Sequence, residues 1–299
     1  MSVTISETTG KPYGIQRVCD TWEMPRSSFY SRKAKRTVSF VPQKRGPKTL
    51  ISDDELLILI REDLTTTMFT GEGHRKVWAR IRFVKGIKVG RKRVLRIMRQ
   101  EHLLSPHRVV QGEKQEHKGK IITMVPNDMW GTDGTKIFTI DDGWCWLFTA
   151  VEHWNAECIG WHIAKTGDRF AALQPLSMAV KQRFGSVGIG AARGLTLRMD
   201  NGSQYLSDHF QNQIKFWGIA PSFAFVSQPQ TNGVAERFNK TIKEQVIYGR
   251  TYRNIEEVRV AVTVFMERYN QHWLVEKIGF RSPNQAYSDF YNEQNKGTA

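Results

Sequence analysis

Apolar residues in the second half of the chain alternate with polar ones over two long runs, and later they follow helical spacing. The alternation over residues 130–140 and 144–151, with an Asp-Asp-Gly turn between them, predicts a β-hairpin. Further strands are predicted at 158–164, up to Asp200 and at 221–226, and helices at 168–184, 207–217, around Glu236 and at 254–272. An antiparallel start followed by alternating helices and strands predicts an α/β core built in layers.

The first half of the chain carries only helical spacing. Short apolar repeats predict two helices between residues 11 and 32, as a helix-turn-helix or a plain helical hairpin. Ser52 and Glu55 match the capping box that begins a helix, and two further amphipathic helices follow. In the last of these, apolar residues face one side and Lys92, Arg96 and Arg99 line the other. This arrangement favours a helix-turn-helix with a basic recognition helix over an ordinary solvated helix.

Proline-, glycine- and charge-rich stretches interrupt these patterns and set the predicted domain boundaries. We expect an N-terminal helix-turn-helix with a basic linker at 1–48, a helical DNA-binding domain at 49–104, a linker at 105–125, the α/β core at 126–290 and a tail at 291–299. The first linker carries the basic pair Lys44 and Arg45, which suits an extended tether that follows phosphates.

The net charge of +15 is unevenly distributed along the chain. Residues 1–125 hold 26 Lys and Arg against 12 Asp and Glu, whereas residues 126–299 hold 18 against 17. A basic surface that serves only solubility would not concentrate the excess on one side of a boundary. The asymmetry therefore predicts a polyanionic partner that the first part of the chain grips through phosphate contacts.

Several classes of protein are excluded by composition. No apolar run approaches the ~18 residues of a membrane-spanning helix, and the N-terminus lacks the basic and apolar regions of a secretory signal. Cys19, Cys145 and Cys158 are too few and too scattered for a disulfide framework or a structural zinc site. We expect a cytoplasmic protein with no membrane partner.

Three carboxylates are placed where a metal site would need them. Asp200 follows a short apolar run and precedes Asn-Gly, as at the end of a strand; Asp133 lies in the first strand, and Glu236 lies near the start of a helix. Three acids on separate elements suit two hard cations, with Mg²⁺ expected and Mn²⁺ as a substitute. Asp128 and the Asp-Asp turn at 141–142 are the nearest competitors for the first position, but they precede the strand or follow it.

The helix that carries Glu236 also carries basic residues on the same side. Glu236, Lys240 and Lys243 are spaced by four and then three residues, so they share one face. Apolar residues repeat every four positions on another face, which predicts packing against the core. An acid and two lysines that face a strand-end aspartate predict a site for a metal and a phosphate.

Three motifs stand in a fixed order. They read Trp-x-x-Asp at 130–133, Asp-Asn-Gly-Ser-Gln-Tyr at 200–205 and Asn-Gly-x-x-Glu-Arg at 232–237, and 35 residues separate Asp200 from Glu236. The chain thereby resembles the DDE transposases with a retroviral-integrase-type catalytic core, and more narrowly the second-reading-frame (OrfB) transposases of the insertion-sequence three family. The resemblance implies an RNase H-like core, with a mixed five-stranded sheet and flanking helices, preceded by all-α helix-turn-helix regions.

The resemblance also implies an activity and partners. Asp133, Asp200 and Glu236 would be both the catalytic residues and the ligands of two Mg²⁺ ions. The enzyme would bind terminal inverted repeats on double-stranded DNA, nick 3′ ends and transfer strands, acting as a homo-oligomer on nucleoid DNA. An upstream-frame product is a further partner that the sequence leaves open. The expected DNA-binding residues are Lys243, Lys240, Arg237, Asn232, Lys92, Arg96 and Arg99.

The chain departs from the family at one place, because Trp273, Leu274 and Val275 stand where Arg, Pro and His are common. A basic residue near the site is lost, so we expect contacts to flanking DNA or to a partner subunit to differ. Two other functions compete: a non-catalytic DNA-binding regulator or degraded transposase, and an RNase H-type nuclease on RNA–DNA hybrids. Three converging acids would repel phosphate in a mere binder, and helix-turn-helix segments favour duplex DNA.

Overall fold

A five-stranded mixed sheet in the order β3-β2-β1-β4-β5 forms the centre of the C-terminal part of the chain. The computed structural model describes residues 3–37, 49–106, 121–224 and 232–296. The strands are β1 (Met129–Thr139), β2 (Gly143–Glu152), β3 (Cys158–Ala164), β4 (Thr196–Met199) and β5 (Ala220–Phe223). β1, β2 and β3 pair antiparallel, whereas β4 pairs parallel with both β1 and β5. The predicted mixed five-stranded sheet is confirmed.

Helices cover both faces of the sheet. They are α6 (Arg169–Phe184), α7 (Ser203–Leu206), α8 (Asp208–Phe216), α9 (Gly233–Ile242), α10 (Ile255–His272) and α11 (Pro283–Lys296). Trp130 and Phe148 pack with α6 and α8, whereas Ile137 and Leu147 pack with α9 and α10, because successive side chains of a strand point to opposite faces. Phe238 of α9 is buried in the second cluster, which confirms its predicted core-facing side.

The helix predicted at 254–272 is confirmed by α10, but a further helix, α11, follows it and was not predicted. Its start has an ordinary signal. Pro283 occupies the first helical position, where its missing N–H costs nothing, and the Ser282 hydroxyl accepts a hydrogen bond from the Gln285 N–H at 3.2 Å. Among the described residues, none of the helices is both long and apolar enough to cross a membrane.

The second helical region consists of α3 (Asp53–Thr66), α4 (His74–Ala79), a π-helical turn (Arg80–Val84) and α5 (Arg91–Gln100). The capping box is confirmed, since the Ser52 side chain accepts from the Glu55 N–H and the Glu55 carboxylate accepts from the Ser52 N–H. Apolar residues of the three helices form a separate core around Leu56 and Ile60. We call this region the helical module, residues 51–104.

The helical module packs against the sheet domain. The Phe69 and Trp273 rings meet edge to face with centroids 4.9 Å apart, and Trp78 meets Phe280 at 5.3 Å. The Gln245 side chain accepts a hydrogen bond from the Thr70 N–H at 3.0 Å and donates one to the Thr70 carbonyl at 2.7 Å. Trp273 is therefore packed against its own chain rather than left at the surface.

Residues Met1–Leu50 form a compact unit of their own. It contains α1 (Ile15–Thr21) and α2 (Arg26–Thr37), which confirms the two helices predicted there, and Cys19 is buried between them and their turn. The basic pair Lys44 and Arg45, most of the predicted 105–125 linker, residues 225–231 and the end of the predicted tail lie outside the described residues.

Candidate active site

Asp133 and Asp200 are brought to the same place by the parallel pairing of β1 with β4. Gly131 is the partner of Arg198 in that register, so two more residues along each chain bring Asp133 level with Asp200. β4 ends at Met199, and Asp200 leaves the strand with an exposed side chain. Its Oδ1 accepts a hydrogen bond from the Gly202 N–H at 2.8 Å, which turns the chain away from the sheet.

Glu236 is positioned by two asparagines that fasten α9 to β1. The Asn232 side chain, at the start of α9, donates to the Thr132 carbonyl at 3.0 Å. The Asn239 side chain, one turn after Glu236, donates to Asp133 Oδ2 at 2.7 Å. The two bonds lie on either side of Glu236 and hold this part of α9 against β1, where the charges of Asp133 and Asp200 act on Glu236.

Asn232, which was expected to contact DNA, is only 2% exposed, and its side-chain amide is bonded to β1. Asn239, which the motif analysis passed over, is the residue that touches Asp133. Its position three residues after Glu236 places it on the same side of the helix, and this spacing was the available signal.

The three carboxylates influence one another electrostatically. Burial raises the pKa of Asp133, hydrogen bonds from Asn239 and Gly134 lower it, the charge of Asp200 raises it again and that of Lys243 lowers it. Burial also raises the pKa of Glu236, and the charges of Asp133 and Asp200 add to that. Like charges that crowd one site disfavour ionisation until a cation relieves them.

The donor set at this site consists of carboxylate oxygens, which hard divalent cations such as Mg²⁺ and Mn²⁺ prefer. Within the described ranges, no three His, Cys, Asp or Glu side chains are gathered closely enough to hold an ion as they stand. A cation would therefore have to draw Asp200 and Glu236, both exposed, toward Asp133. Magnesium suits such an open site, because it keeps several water ligands.

The competing acids are engaged elsewhere. Asp141 pairs with Arg253 at 3.1 Å, and Asp142 pairs with Lys165 at 2.7 Å and accepts from the Ile255 N–H. Both lie in the β1–β2 turn, at the opposite end of β1 from Asp133. Asp128 is exposed and precedes the strand.

The basic residues predicted to bind DNA fall into two groups. Near the carboxylates, Lys243 is half-buried in the π-helical turn after α9 (Lys243–Ile247) and its charge reaches Asp133. Arg237 and Lys240 are exposed on α9, with the Lys240 ammonium 3.9 Å from Glu244. Of these three cations, Lys243 is the one whose charge acts on one of the three carboxylates.

The other group lies on α5. Lys92 and Arg99 are exposed, whereas Arg96 forms an ion pair with Asp53 at 2.6 Å. Hydrogen bonds from Arg96 and Arg93 lower the pKa of Asp53, so this carboxylate stays charged and offsets part of the positive charge of the helix. Lys92 and Arg99 are thus more open to a ligand than Arg96.

Comparisons with known proteins agree with this architecture. Residues 125–229 and 217–283 match two families that are both described as integrase core domain, and residues 53–110 match an HTH-like domain. These matches place an integrase core domain behind an HTH-like domain, and together with the five-stranded sheet and its flanking helices they confirm the predicted fold class.

The chain is also similar to transposases of insertion elements. It is 28% identical over 259 residues to the transposase InsD for insertion element IS2D of Escherichia coli (strain K12), which covers 84% of this chain and 83% of the relative. Its match to the InsD transposase of insertion element IS2-9 of the same strain has the same identity and covers 82% of that relative.

Solved structures were also found. The catalytic core domain of BIV integrase is 17% identical with a TM-score of 0.40, covering 56% of this chain and 99% of its own. The HTLV-2 integrase catalytic core domain in complex with magnesium is 18% identical with a TM-score of 0.42, covering 55% and 98%.

Proposed function

We propose that this chain is an insertion-sequence transposase, a polynucleotidyl transferase that nicks DNA at 3′ ends and transfers the resulting strands. The observation that carries the proposal is the convergence of three carboxylates from three elements. Asp133 lies within β1, Asp200 directly follows the neighbouring parallel strand β4 at the same level, and the charge of each aspartate raises the pKa of Glu236 on α9. Bringing like charges together is unfavourable unless a cation is to be bound.

In this proposal Asp133, Asp200 and Glu236 hold two Mg²⁺ ions, with Mn²⁺ as a substitute. When bound, such a pair activates the attacking oxygen and stabilises the leaving oxygen of an in-line displacement. In cleavage, water attacks the phosphorus and the bond to the 3′-oxygen breaks, which leaves a 3′-hydroxyl. In joining, that hydroxyl attacks a phosphorus of the target strand, a new phosphodiester forms, and the target bond to its 3′-oxygen breaks and leaves a 3′-hydroxyl. Asn239 and the Gly134 N–H orient Asp133 through its two oxygens.

The chain's cations would hold the DNA. Lys243, Lys240 and Arg237 would contact phosphates of the end being cut, and α5 would contact duplex DNA at a distance from it. We propose that the terminal inverted repeats are recognised by the helical module together with the N-terminal helices, and that two copies or more bring two ends together. A protein acting on nucleoid DNA would work in the cytoplasm.

A strand-cleavage and joining assay tests the proposal. Labelled duplexes that carry the ends of the element would be incubated with the full chain and Mg²⁺ or Mn²⁺, and a parallel reaction would contain a chelator. Metal-dependent nicking at the 3′ ends, followed by joined products, is expected. Tight binding with no cleavage under any of these conditions would instead favour a non-catalytic DNA-binding regulator.

Asn239→Leu is expected to lower cleavage by about 10–100-fold, the usual cost of removing a partner that orients a metal ligand. Leucine keeps the size of the side chain but cannot donate to Asp133. The rate would be measured against magnesium concentration, because the defect should lie mainly in the magnesium requirement. Thr241→Ala is the matched control, since its hydroxyl bonds only the Arg237 carbonyl on the same helix. Equal rates for both variants would contradict the positioning role.

The magnesium requirement should also depend on pH. Ion binding needs deprotonated carboxylates, and the pKa values of Asp133 and Glu236 are both raised. As the pH is lowered, the magnesium concentration needed for half-maximal cleavage should therefore rise. The rise should begin at a pH higher than about 4, where ordinary carboxylates titrate. In Asn239→Leu the climb should begin at a still higher pH, because a hydrogen bond that lowers the pKa of Asp133 is lost. A magnesium requirement that stayed constant down to about pH 4 would refute the assignment of Asp133 and Glu236 as metal ligands.

A further inference from the structure

A cleft begins beside the candidate active site, along the part of β1 that has no neighbouring strand. β4 pairs only with Met129, Trp130 and Gly131, so beyond Asp133 this edge of β1 faces no strand until an isolated bridge joins Thr139 to Tyr252. The chain from 243 to 252 passes along the edge and leaves a cleft of about 370 Å³. This volume lies at the lower end of the range of ligand pockets, about 300–1,000 Å³.

Three aromatic side chains line the cleft and are largely exposed. Phe138 is 55% exposed, Trp144 is 60% exposed and Tyr248 is 59% exposed. The Phe138 and Trp144 rings meet edge to face with centroids 5.4 Å apart, so a ring face remains open to a ligand. Several large apolar groups exposed together usually mark a binding surface.

Three cations line the same cleft. They are Lys136 on β1, Lys243 after α9, and Arg250 in the covering segment. None of the described lining residues is acidic, and the acids of the nearby turn are paired with Arg253 and Lys165. Lys243 also acts on Asp133 electrostatically, so it belongs to the cleft and to the neighbourhood of the carboxylates. The cleft is therefore positively charged and adjoins the candidate active site at this lysine.

We propose that this cleft binds unpaired nucleotides of a DNA strand whose scissile phosphate lies at the carboxylates. Bases would stack on Trp144, Phe138 and Tyr248, and phosphates would contact the three cations. Alternating aromatic and basic groups are the usual means of holding single-stranded nucleic acid. A paired base inside a duplex has its faces covered by its neighbours, so only an unstacked base can use these rings. The inference rests on the proposed function, because it takes DNA as the substrate.

Binding to two duplexes tests the inference. One is blunt, and the other carries a short unpaired 5′ extension containing 2-aminopurine, whose fluorescence falls when it stacks on an aromatic ring. All proteins carry Glu236→Gln so that the DNA stays intact. The parent should bind the extended duplex about tenfold more tightly than the blunt one, as expected for stacking of one base, and should quench the probe.

Trp144→Ala and Phe138→Ala should each lose most of this preference and of the quenching, with blunt-duplex binding unchanged. Phe216→Ala is the matched control, because it removes a 44% exposed aromatic from α8, outside the cleft. Lys136→Gln and Arg250→Gln should each lower the salt dependence of binding to the extended duplex by about one phosphate contact.

Three outcomes would overturn the inference. Equal affinity of the parent for both duplexes would remove the cleft's role while leaving DNA binding intact. Unchanged preference in Trp144→Ala, with a shift in its sedimentation coefficient, would make the aromatic patch an interface between copies of the chain. Binding of neither duplex would overturn the inference and the proposed function together.

Discussion

Glu236→Gln is expected to reduce metal-dependent cleavage and joining by more than about 100-fold, because loss of a metal ligand should cost more than the 10–100-fold that loss of a ligand's partner costs. Glutamine keeps the shape of the side chain and one oxygen, but it removes the negative charge that two divalent ions need. Duplex binding should persist, since the cations of α9 and α5 are untouched. Asp133→Asn and Asp200→Asn should behave alike. The measurement is single-turnover cleavage of labelled ends.

Loss of activity in this variant should not come from unfolding. The pKa of Glu236 is raised in the folded chain, so its ionised form is disfavoured there. That cost to stability is present above the folded pKa and vanishes as pH falls below the unfolded one. Without metal at neutral pH, Glu236→Gln should therefore be slightly more stable than the wild type, by about 0.5 kcal/mol, a small value because solvent screens this exposed group. Thermal unfolding with a chelator measures it.

Glu267→Gln on α10 is the matched control, because it makes the same change at an exposed position outside the site. It should cleave at the wild-type rate. Equal activity of Glu236→Gln and this control would remove Glu236 from the chemistry. If the wild-type protein bound the DNA ends but never cut them, we would conclude that the chain is a DNA-binding protein and not a transposase.

Arg80→Met should destabilise the helical module by about 3–5 kcal/mol, the usual cost of removing one partner from a buried ion pair. The Arg80 guanidinium donates to both oxygens of Asp63, with Nη2 2.7 Å from Oδ2, and also to Glu72. Asp63 and Glu72 are only 4% and 5% exposed. Methionine fills the space of the arginine stem but removes the cation that Asp63 and Glu72 share. Among the described residues, only Glu72 keeps a second one, Lys76 at 3.4 Å. Urea unfolding of the full chain would show an early transition.

Arg61→Met is the control for this prediction. Arg61 pairs with Glu101 at 2.9 Å, but both side chains are well exposed, at 54% and 38%. Such surface pairs contribute at most about 1 kcal/mol. If the two variants lowered the free energy of unfolding by similar amounts, burial would not make the ion pairs of Arg80 more stabilising than a surface pair. In the Arg80 variant the contact between Phe69 and Trp273 should also loosen. Arg80 holds Glu72, and Glu72 lies in the same segment as Phe69, just before α4.

Much of the fold follows from local pattern. The strand at Cys158–Ala164 was predicted to the residue, and α6 begins directly after its cap at Asp168. Alternation and helical spacing carry this information because they record which side of an element is buried, whatever the element packs against. The three acids could be selected for a related reason. Asp133 lies within a strand, Asp200 at the end of one and Glu236 near the start of a helix, and the neighbouring residues define each of these elements.

Other features depended on contacts between distant segments. Three contacts join residues roughly 100 or more positions apart. They are the bond from Asn232 to Thr132, the bond from Asn239 to Asp133 and the packing of Trp273 on Phe69. Nothing near those residues distinguishes an asparagine that bonds a strand from one that faces DNA. Local pattern can specify which side of an element is buried, but partners across the fold are set by strand register and helix docking, which arise only when the whole chain packs.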